Sequence, residues 1–267
     1  MECGVRQGGL SSPALFNWYI NDLVAGLSSM HAGCHIEGMC ANNISYADDM
    51  VLLSPSIGAL RELVQRCEVY ANAHGLVYNS AKSEIMVFKA GKIKPYYIPP
   101  VALGGVVLRN VRRVKYLGHI LTDDLCDDQD IERERRALSV RCNMLARRFA
   151  RCSDDVKIVL FKAYSQSFYT SGLWVKYTKR AYNALRVQYN NAFRMLLGLP
   201  RWCSASGMFA EAHKDGFHAL MRKKIVSLLT RVRKSPNSIL KTIAGRLDCP
   251  ILWYWIGQIK SVLLYIK

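Results

Sequence analysis

Two adjacent aspartates inside an apolar segment constrain the fold more than any other feature of this sequence. Asp48 and Asp49 interrupt the β-prone run of residues 44–53. An unpaired buried carboxylate loses on the order of several kcal/mol of hydration, so a cation is expected nearby, and a divalent metal is the obvious candidate. A strand, a tight turn and a second strand are predicted. In a flat strand the two side chains would point to opposite faces of the sheet, whereas a turn lets both acids approach one site. The alternative is an exposed hairpin whose turn happens to contain two aspartates.

The charge of the chain indicates a polyanionic partner. Lys and Arg total 37 against 20 Asp and Glu among 267 residues, a formal net charge of +17. Such an excess favours nucleic acid over a membrane surface, the alternative being a purely solubilising charge.

The cysteines and the ends of the chain bear on its compartment. Nine scattered cysteines form no CxxC pair, which supports neither a zinc knuckle nor a disulfide framework. The amino terminus shows no apolar signal region, and the apolar tail at 251–266 is short for a membrane span and contains Gln258 and Lys260. We therefore expect an intracellular protein of the nucleus or cytoplasm, neither secreted nor held in a membrane.

Residues 1–122 predict an α+β domain, an antiparallel sheet with helices on one face. Ser12 can cap a first helix and Pro13 suits its first turn, with apolar residues at helical spacing up to residue 27. A second amphipathic helix is expected to end at Gly75. Strands are predicted at 76–79, 84–88, 101–108 and 114–121.

Beyond residue 122 the pattern becomes helical. We expect two further domains, a helical one at 123–200 and a C-terminal helical region at 201–267. Five aspartates form an acidic loop that is expected to be solvated and to cap the next helix rather than to bind metal: Asp123, Asp124, Asp127, Asp128 and Asp130. Further helices are predicted at about 154–170, 179–197, 216–234 and 237–247. Three tryptophans are expected to pack in cores: Trp202, Trp253 and Trp255.

A basic helix follows the acidic loop. No acid occurs between Arg135 and Arg151, while Leu138, Cys142 and Leu145 form its apolar stripe. This face is a candidate track for a phosphate backbone, the alternative being a solvated basic surface.

Four motifs in order resemble a reverse transcriptase of the non-LTR (LINE-type) retrotransposons. The resemblance covers residues 4–121, the C-terminal part of the palm; the thumb and a C-terminal helical region would follow. Group II intron proteins and retron enzymes share the palm motifs. The motifs are Gln7 to Asn17, Tyr46-Ala47-Asp48-Asp49, Gly75-Leu76 with Asn79 and Lys82, and Lys115-Tyr116-Leu117-Gly118.

The resemblance implies an RNA-directed DNA polymerase that uses two Mg²⁺ ions, or Mn²⁺, with an RNA template, a DNA primer and deoxynucleoside triphosphates. No feature of the sequence indicates a protein partner. Asp48 and Asp49 would bind metal, and Lys82 would act in catalysis beside the triphosphate. The nucleotide-binding residues would be Gln7, Gly8, Tyr46, Ala47, Asn79 and Lys82.

The same resemblance implies a nucleic-acid surface made of a primer grip and a thumb helix. Its residues would be Tyr116, Leu117, Gly118, Arg136, Arg141, Arg147 and Arg148.

Enzymes of this class also use an aspartate on an earlier strand to bridge the two metal ions, and this chain begins just before the Gln7 loop. We therefore expect a fragment that lacks the fingers and the first catalytic aspartate and is inactive or barely active alone. The alternatives are a non-catalytic nucleic-acid-binding remnant and an unexpressed or unfolded relic.

Overall fold

The computed structural model describes residues 6, 8–88, 97–246 and 248–263, with side chains as far as residue 259. The chain divides into two compact units, Met1–Val111 and Arg112–Lys267. The first unit combines two helices with short paired strands, and the second is mostly helical. The predicted α+β class is confirmed.

In the described part of the first unit there are two long helices and eight short strands. Its elements are α1 (Ser12–Ser28), β1 (His35–Ile36), β2 (Met39–Cys40), β3 (Asn43–Tyr46), β4 (Asp49–Leu52), α2 (Ile57–His74), β5 (Glu84–Ile85), β6 (Ala102–Leu103), β7 (Val106–Val107) and β8 (Arg109–Asn110).

The helix boundaries follow the local signals in the sequence. Helix α1 begins at Ser12, one residue earlier than predicted, with Pro13 in its first turn. Helix α2 is capped by Ser56, whose hydroxyl accepts a hydrogen bond from the Ala59 N–H. It ends as predicted at Gly75, which adopts a left-handed φ of 65° that costs glycine little.

The packing of α1 against α2 forms the main core of the first unit. Leu23 and Leu27 of α1 and Leu63 of α2 are fully buried, each worth about 1.5–3 kcal/mol of transfer free energy. Cys67 and Tyr70 complete this group of five residues, called here the α1–α2 core. A second cluster joins Val64 to Ile85, Val101 and Leu103.

The strand predictions were only partly right. Residues 76–79 form no strand, and 84–88 shortens to Glu84–Ile85, which pairs in parallel with β8. Residues 101–108 form a hairpin, because Gly104 and Gly105 both have positive φ and make a tight turn. Within the described residues the strands form separate two-stranded pairs rather than the one antiparallel sheet expected.

The second unit begins with a hairpin and continues as helices. Its elements are β9 (Arg113–Tyr116), β10 (His119–Thr122), α3 (Asp128–Arg148), α4 (Asp154–Ser165), a 3-10 turn (Ser171–Leu173), α5 (Lys179–Leu197), α6 (Ala205–Glu211), α7 (Phe217–Lys234), α8 (Ser238–Gly245) and α9 (Pro250–Leu263). Helices α6 and α9 were not predicted.

Aromatic side chains fill the core of this unit. Phe161 packs edge-on against Phe193 with ring centroids 4.9 Å apart, and Tyr189 stacks on Phe209 at 5.2 Å. Such pairs add about 0.5–1.5 kcal/mol each beyond their area burial.

The tryptophan predictions were only partly right. Trp255 is buried and donates a hydrogen bond to the Gly172 carbonyl at 2.7 Å. Trp253 is 72% exposed because it lies on the other face of α9, and Trp202, in the turn after α5, is 87% exposed. Trp174, which the sequence did not single out, is buried instead.

No helix in the described part of the chain is both long and apolar enough to span a membrane.

Candidate functional site

The two central aspartates lie at the tip of the β3–β4 hairpin. Tyr46 pairs with Asp49 across the strands, so Ala47 and Asp48 form a two-residue turn. The predicted strand, turn and strand are confirmed. Ala47 has a φ of 52°, while Asp48 is absent from the residues with positive φ. A positive φ at the first central position is the pattern of a type II′ turn, which normally places glycine there, and a non-glycine residue costs about 1–2 kcal/mol.

The two faces of this hairpin have different environments. Met50 and Leu52 point to one face and pack against the α1–α2 core. Ile44, Tyr46 and Asp49 point to the other face by strand alternation. Ile44 is 47% and Tyr46 63% exposed, so this face is open within the described residues. Asp49 therefore projects from the open face of a hairpin whose other face is fixed by the core.

Both carboxylates are exposed, which corrects the premise that they sit in a buried strand. Desolvation therefore gives no reason to expect a cation there. Among the described residues, neither Asp48 nor Asp49 forms an ion pair or a side-chain hydrogen bond.

The donor set at the tip nevertheless fits magnesium, which takes oxygen ligands and is commonly held by one or two carboxylates plus substrate phosphates. Within the described residues no third His, Cys, Asp or Glu side chain joins the pair to make a complete metal cluster.

The loop before α1 is closed by its own hydrogen bonds. The Arg6 carbonyl accepts bonds from the Gly9 N–H at 3.1 Å and the Ser12 hydroxyl at 2.6 Å. Gly8 has a φ of 79°, and a Cβ added there would meet nothing within 4 Å, so its backbone is accessible. The predicted nucleotide-binding residue Gln7 lies outside the described residues.

Asn79 organises the turn that carries Lys82. Its side-chain oxygen accepts a hydrogen bond from the Lys82 N–H at 3.1 Å, and its carbonyl accepts one from the Ser83 N–H at 3.0 Å. The Lys82 side chain is exposed and has no ion-pair partner among the described residues. The local geometry thus gives Asn79 a structural role in presenting Lys82.

The hairpin tip and the Lys82 turn are attached to the same core. Met50, next to Asp49, and Tyr78, next to Asn79, both pack against the α1–α2 core. The Met50 sulfur lies 3.9 Å from the Cys67 sulfur, and burial raises the pKa of the Cys67 thiol to about 11, which keeps it neutral. No hydrogen bond or ion pair within the described residues joins the tip to Lys82 or to Gly8.

In the second unit, Tyr116, Leu117 and Gly118 lie at the turn of the β9–β10 hairpin. Tyr116 pairs with His119, and Leu117 and Gly118 have φ values of 44° and 82°. Positive φ at both central positions defines a type I′ turn. The exposed ring of Tyr169 lies 3.8 Å from the position that a Gly118 Cβ would take.

A buried carboxylate fixes this second hairpin. Asp130 is fully buried and accepts hydrogen bonds from the Ile120 N–H at 3.0 Å and from Thr170 and Trp174 at 2.7 Å. Arg133 donates to it at 2.7 Å, and a His119 ring nitrogen lies 3.1 Å away. Burial alone would raise the pKa of Asp130, but the bonds from these neighbours hold it well below its ordinary value.

The expectation that the acidic loop is solvated is therefore wrong for Asp127 and Asp130. Asp127 is buried and accepts backbone hydrogen bonds from Val175 and Lys176 at 2.8 and 2.9 Å. Desolvation raises its pKa, although both backbone bonds oppose this. Asp128 accepts a bond from the Thr178 N–H at 2.7 Å. These acids fasten the start of α3 to residues 175–178, a structural role that the sequence analysis missed.

The arginines predicted to contact nucleic acid fall into two groups. Arg141 bonds the nearly buried Glu134 at 2.5 Å, and Arg136 bonds Glu132 at 2.8 Å while 76% of its side chain stays exposed. Arg147 and Arg148, in the last turn of α3, are exposed and have no acidic partner within the described residues. Arg147 and Arg148 are therefore the better placed to contact a phosphate.

Comparison with known proteins agrees with the sequence motifs. Residues 1–121 match the family of reverse transcriptases (RNA-dependent DNA polymerases). The matched range contains the Asp48-Asp49 tip, the Gly8 loop, the Lys82 turn and Tyr116-Leu117-Gly118. No curated protein matches the chain as a relative. This part of the chain is thus similar to reverse transcriptases in general.

Proposed function

We propose that the chain is an RNA-directed DNA polymerase domain of the non-LTR retrotransposon type, comprising part of the palm, a helical thumb and a C-terminal helical region. Asp48 and Asp49 would hold Mg²⁺ or Mn²⁺ at the hairpin tip. When bound, two such ions stabilise the entering and leaving oxygens of nucleotidyl transfer. The observation that carries the proposal is a pair of exposed carboxylates, without partners among the described residues, at the tip of a hairpin with a strained turn inside the matched range.

The other residues of the first unit would position the substrates. Tyr46, opposite Asp49 on the open face of the hairpin, would support the primer end and the incoming nucleotide. Gly8 leaves its backbone open to close approach, as a nucleotide pocket requires. Lys82 would neutralise the triphosphate or protonate the departing pyrophosphate, since its ammonium is exposed and free of acids in the described residues.

The second unit would supply nucleic-acid contacts. Tyr116, Leu117 and Gly118 would hold the primer on a turn fixed through Asp130. Arg147 and Arg148 would contact phosphates directly. The exposed Arg136–Glu132 pair is worth at most about 1 kcal/mol, so Arg136 can exchange its partner for a phosphate at little cost.

Template-directed primer extension tests this proposal. The full chain is incubated with an RNA template, a DNA primer, deoxynucleoside triphosphates and Mg²⁺. We expect weak incorporation that D48N/D49N reduces to background, because the carboxylates proposed to bind metal are removed. D154N/D155N changes another exposed adjacent aspartate pair by the same charge and is expected to retain full incorporation. Equal incorporation by D48N/D49N and the unaltered chain would reject a catalytic role for the tip.

A second candidate function is nucleic-acid binding without catalysis. The observation that favours it is that the described residues bring only two carboxylates to the tip, whereas two magnesium ions require a further bridging ligand. Together with the net charge of +17, this predicts RNA affinity that falls steeply with salt, with a log–log slope of roughly −0.7 to −0.9 per phosphate neutralised. Salt-dependent binding without any incorporation would support this function, and binding that does not change with salt would reject it.

A further inference from the structure

A group of basic side chains lies where helices α5 and α7 of the second unit meet. On α5, Tyr182 and Arg186 are one turn apart and share a face. On α7, His218 and Arg222 have the same spacing. The Tyr182 and His218 rings are 6.1 Å apart, so these two faces meet.

Both arginines contribute to the electrostatics of this meeting point. Burial and then the charges of Arg186 and Arg222 lower the pKa of His218. The same two charges act on Tyr182, opposing the rise in its pKa that burial causes. Both guanidinium groups are therefore close enough to act on the same pair of rings.

No acid in the described residues compensates this charge. Neither Arg186 nor Arg222 takes part in an ion pair or side-chain hydrogen bond there, and the Arg186 Nε is a buried donor without a partner. The nearby Asp215 is engaged by the Lys223 ammonium at 2.6 and 2.7 Å. Half-buried like charges repel each other, and a buried unpaired N–H costs about 1–3 kcal/mol. An anion between them would remove both costs.

The start of α7 adds to the positive potential. His218 is the second residue of this 18-residue helix, whose first turn contains no acid and whose N-cap, Gly216, offers no side-chain hydrogen bond. The free N–H groups and the dipole of such a turn favour an anion. Guanidinium groups suit phosphate in particular, because their paired N–H donors match its oxygens.

We propose that Arg186, Arg222 and His218 form a binding site for a phosphate group between α5 and α7. The phosphate could belong to a nucleic-acid backbone or to a free phosphate or phosphomonoester. This proposal does not depend on the polymerase function, since it concerns neither Asp48 and Asp49 nor the α3 arginines.

Titration of the full chain with inorganic phosphate tests the site. Binding is measured by calorimetry and by the NMR signals of the His218 ring protons, with the ionic strength held constant with chloride. We expect saturable binding of one phosphate with a raised pKa of His218, because the bound anion offsets the charges of Arg186 and Arg222. R186Q/R222Q is expected to weaken binding at least tenfold. R180Q/R233Q removes two exposed arginines from the same helices and is expected to stay within twofold.

The remaining outcomes are also decisive. If R186Q/R222Q unfolds, H218N and the His218 shifts of the unaltered chain carry the test. Displacement of phosphate by an RNA oligonucleotide without terminal phosphates identifies the nucleic-acid backbone as the source, and failure of RNA to compete identifies a free phosphate group. Absence of saturable binding, or equal weakening in R180Q/R233Q, would overturn the proposal.

Discussion

The β3–β4 and β9–β10 hairpins have similar turns but different surroundings. Each has a tyrosine before a two-residue turn, and in each the first turn residue is a non-glycine with positive φ, Ala47 at 52° and Leu117 at 44°. The second residue differs. It is Asp48 in the first hairpin and Gly118 in the second.

The surroundings of the two turns differ even more. Asp49, which follows the first turn, is exposed and has no partner in the described residues, whereas His119, which follows the second, is buried beside Asp130. The first hairpin leaves both of its carboxylates exposed, while the second is held in place by the buried carboxylate of Asp130 in α3. Exposure thus separates the two acids that are candidates for ligand binding from Asp130, which supports the fold.

The largest expected contrast is between the two kinds of carboxylate. Asp130→Ala removes the acceptor for the buried donors of Thr170 and Trp174 and leaves Arg133 with Glu134 as its remaining acidic partner in the described residues, so we expect a loss of about 3–5 kcal/mol in the free energy of unfolding. Asp48→Ala is expected to change it by no more than about 0.5 kcal/mol. Urea denaturation of both variants measures the difference. Similar losses in the two would break the distinction between supporting and available acids.

Acid sensitivity should trace to the same carboxylate. Because the folded-state pKa of Asp130 lies below its ordinary value, the unfolded chain binds more protons between the two pKa values. The stabilising contribution of Asp130 is complete above the pKa of the unfolded chain, at about pH 4. It is lost progressively as the pH falls from there towards the lower pKa of the folded state. Asp127, whose pKa is raised, acts in the opposite direction.

Urea denaturation midpoints between about pH 3 and pH 6 test this assignment. The unaltered chain is expected to lose stability more steeply on acidification than D130N. Parallel pH profiles for the two proteins would show that Asp130 is not the group responsible.

The glycine of the second turn gives a smaller expected effect. Gly118→Ala places a Cβ on a residue with a φ of 82°, which should cost about 1–2 kcal/mol. The contact with Tyr169 at 3.8 Å is an ordinary van der Waals distance, so the cost should come from the backbone rather than from a clash. Gly245→Ala, at a glycine without positive φ and with open space around its Cβ, is the matched control and should cost nothing measurable.

The smallest effect should have the opposite sign. Ala47→Gly relieves the positive φ of the first turn, and the greater freedom of glycine in the unfolded chain offsets part of that gain. We expect net stabilisation of up to about 1 kcal/mol. Loss of stability in this variant would mean that contacts of the Ala47 methyl group stabilise the fold by more than the backbone strain destabilises it.

Local signals in the sequence predicted the parts of the fold that depend on neighbouring residues. Pro13 and Gly75 marked helix ends because the ring of proline and the freedom of glycine act on the backbone directly. The Asp48-Asp49 turn followed from the conflict between two acids and an apolar run. Its role as a metal site stays a prediction.

The buried acids of α3 were missed although a signal existed. Counting back in fours along the helix from Cys142 through Leu138 leads to Glu134 and Asp130, so both acids continue the apolar stripe. The Asp130 partners Thr170 and Trp174 lie 40 and 44 residues away in sequence, and no local pattern indicates that contact. The same limitation explains the exposed Trp202 and Trp253, since hydrophobicity alone does not tell which side of an element meets the core.

Manganese binding shows whether the exposed tip is a metal site. Paramagnetic broadening of the Ala47 and Met50 methyl signals by substoichiometric Mn²⁺ reports on the hairpin tip itself. We expect broadening at these two residues that Mg²⁺ reverses, that D48N/D49N abolishes and that D154N/D155N leaves intact. Broadening that spares the tip, or that persists in D48N/D49N, would contradict a metal site at the tip.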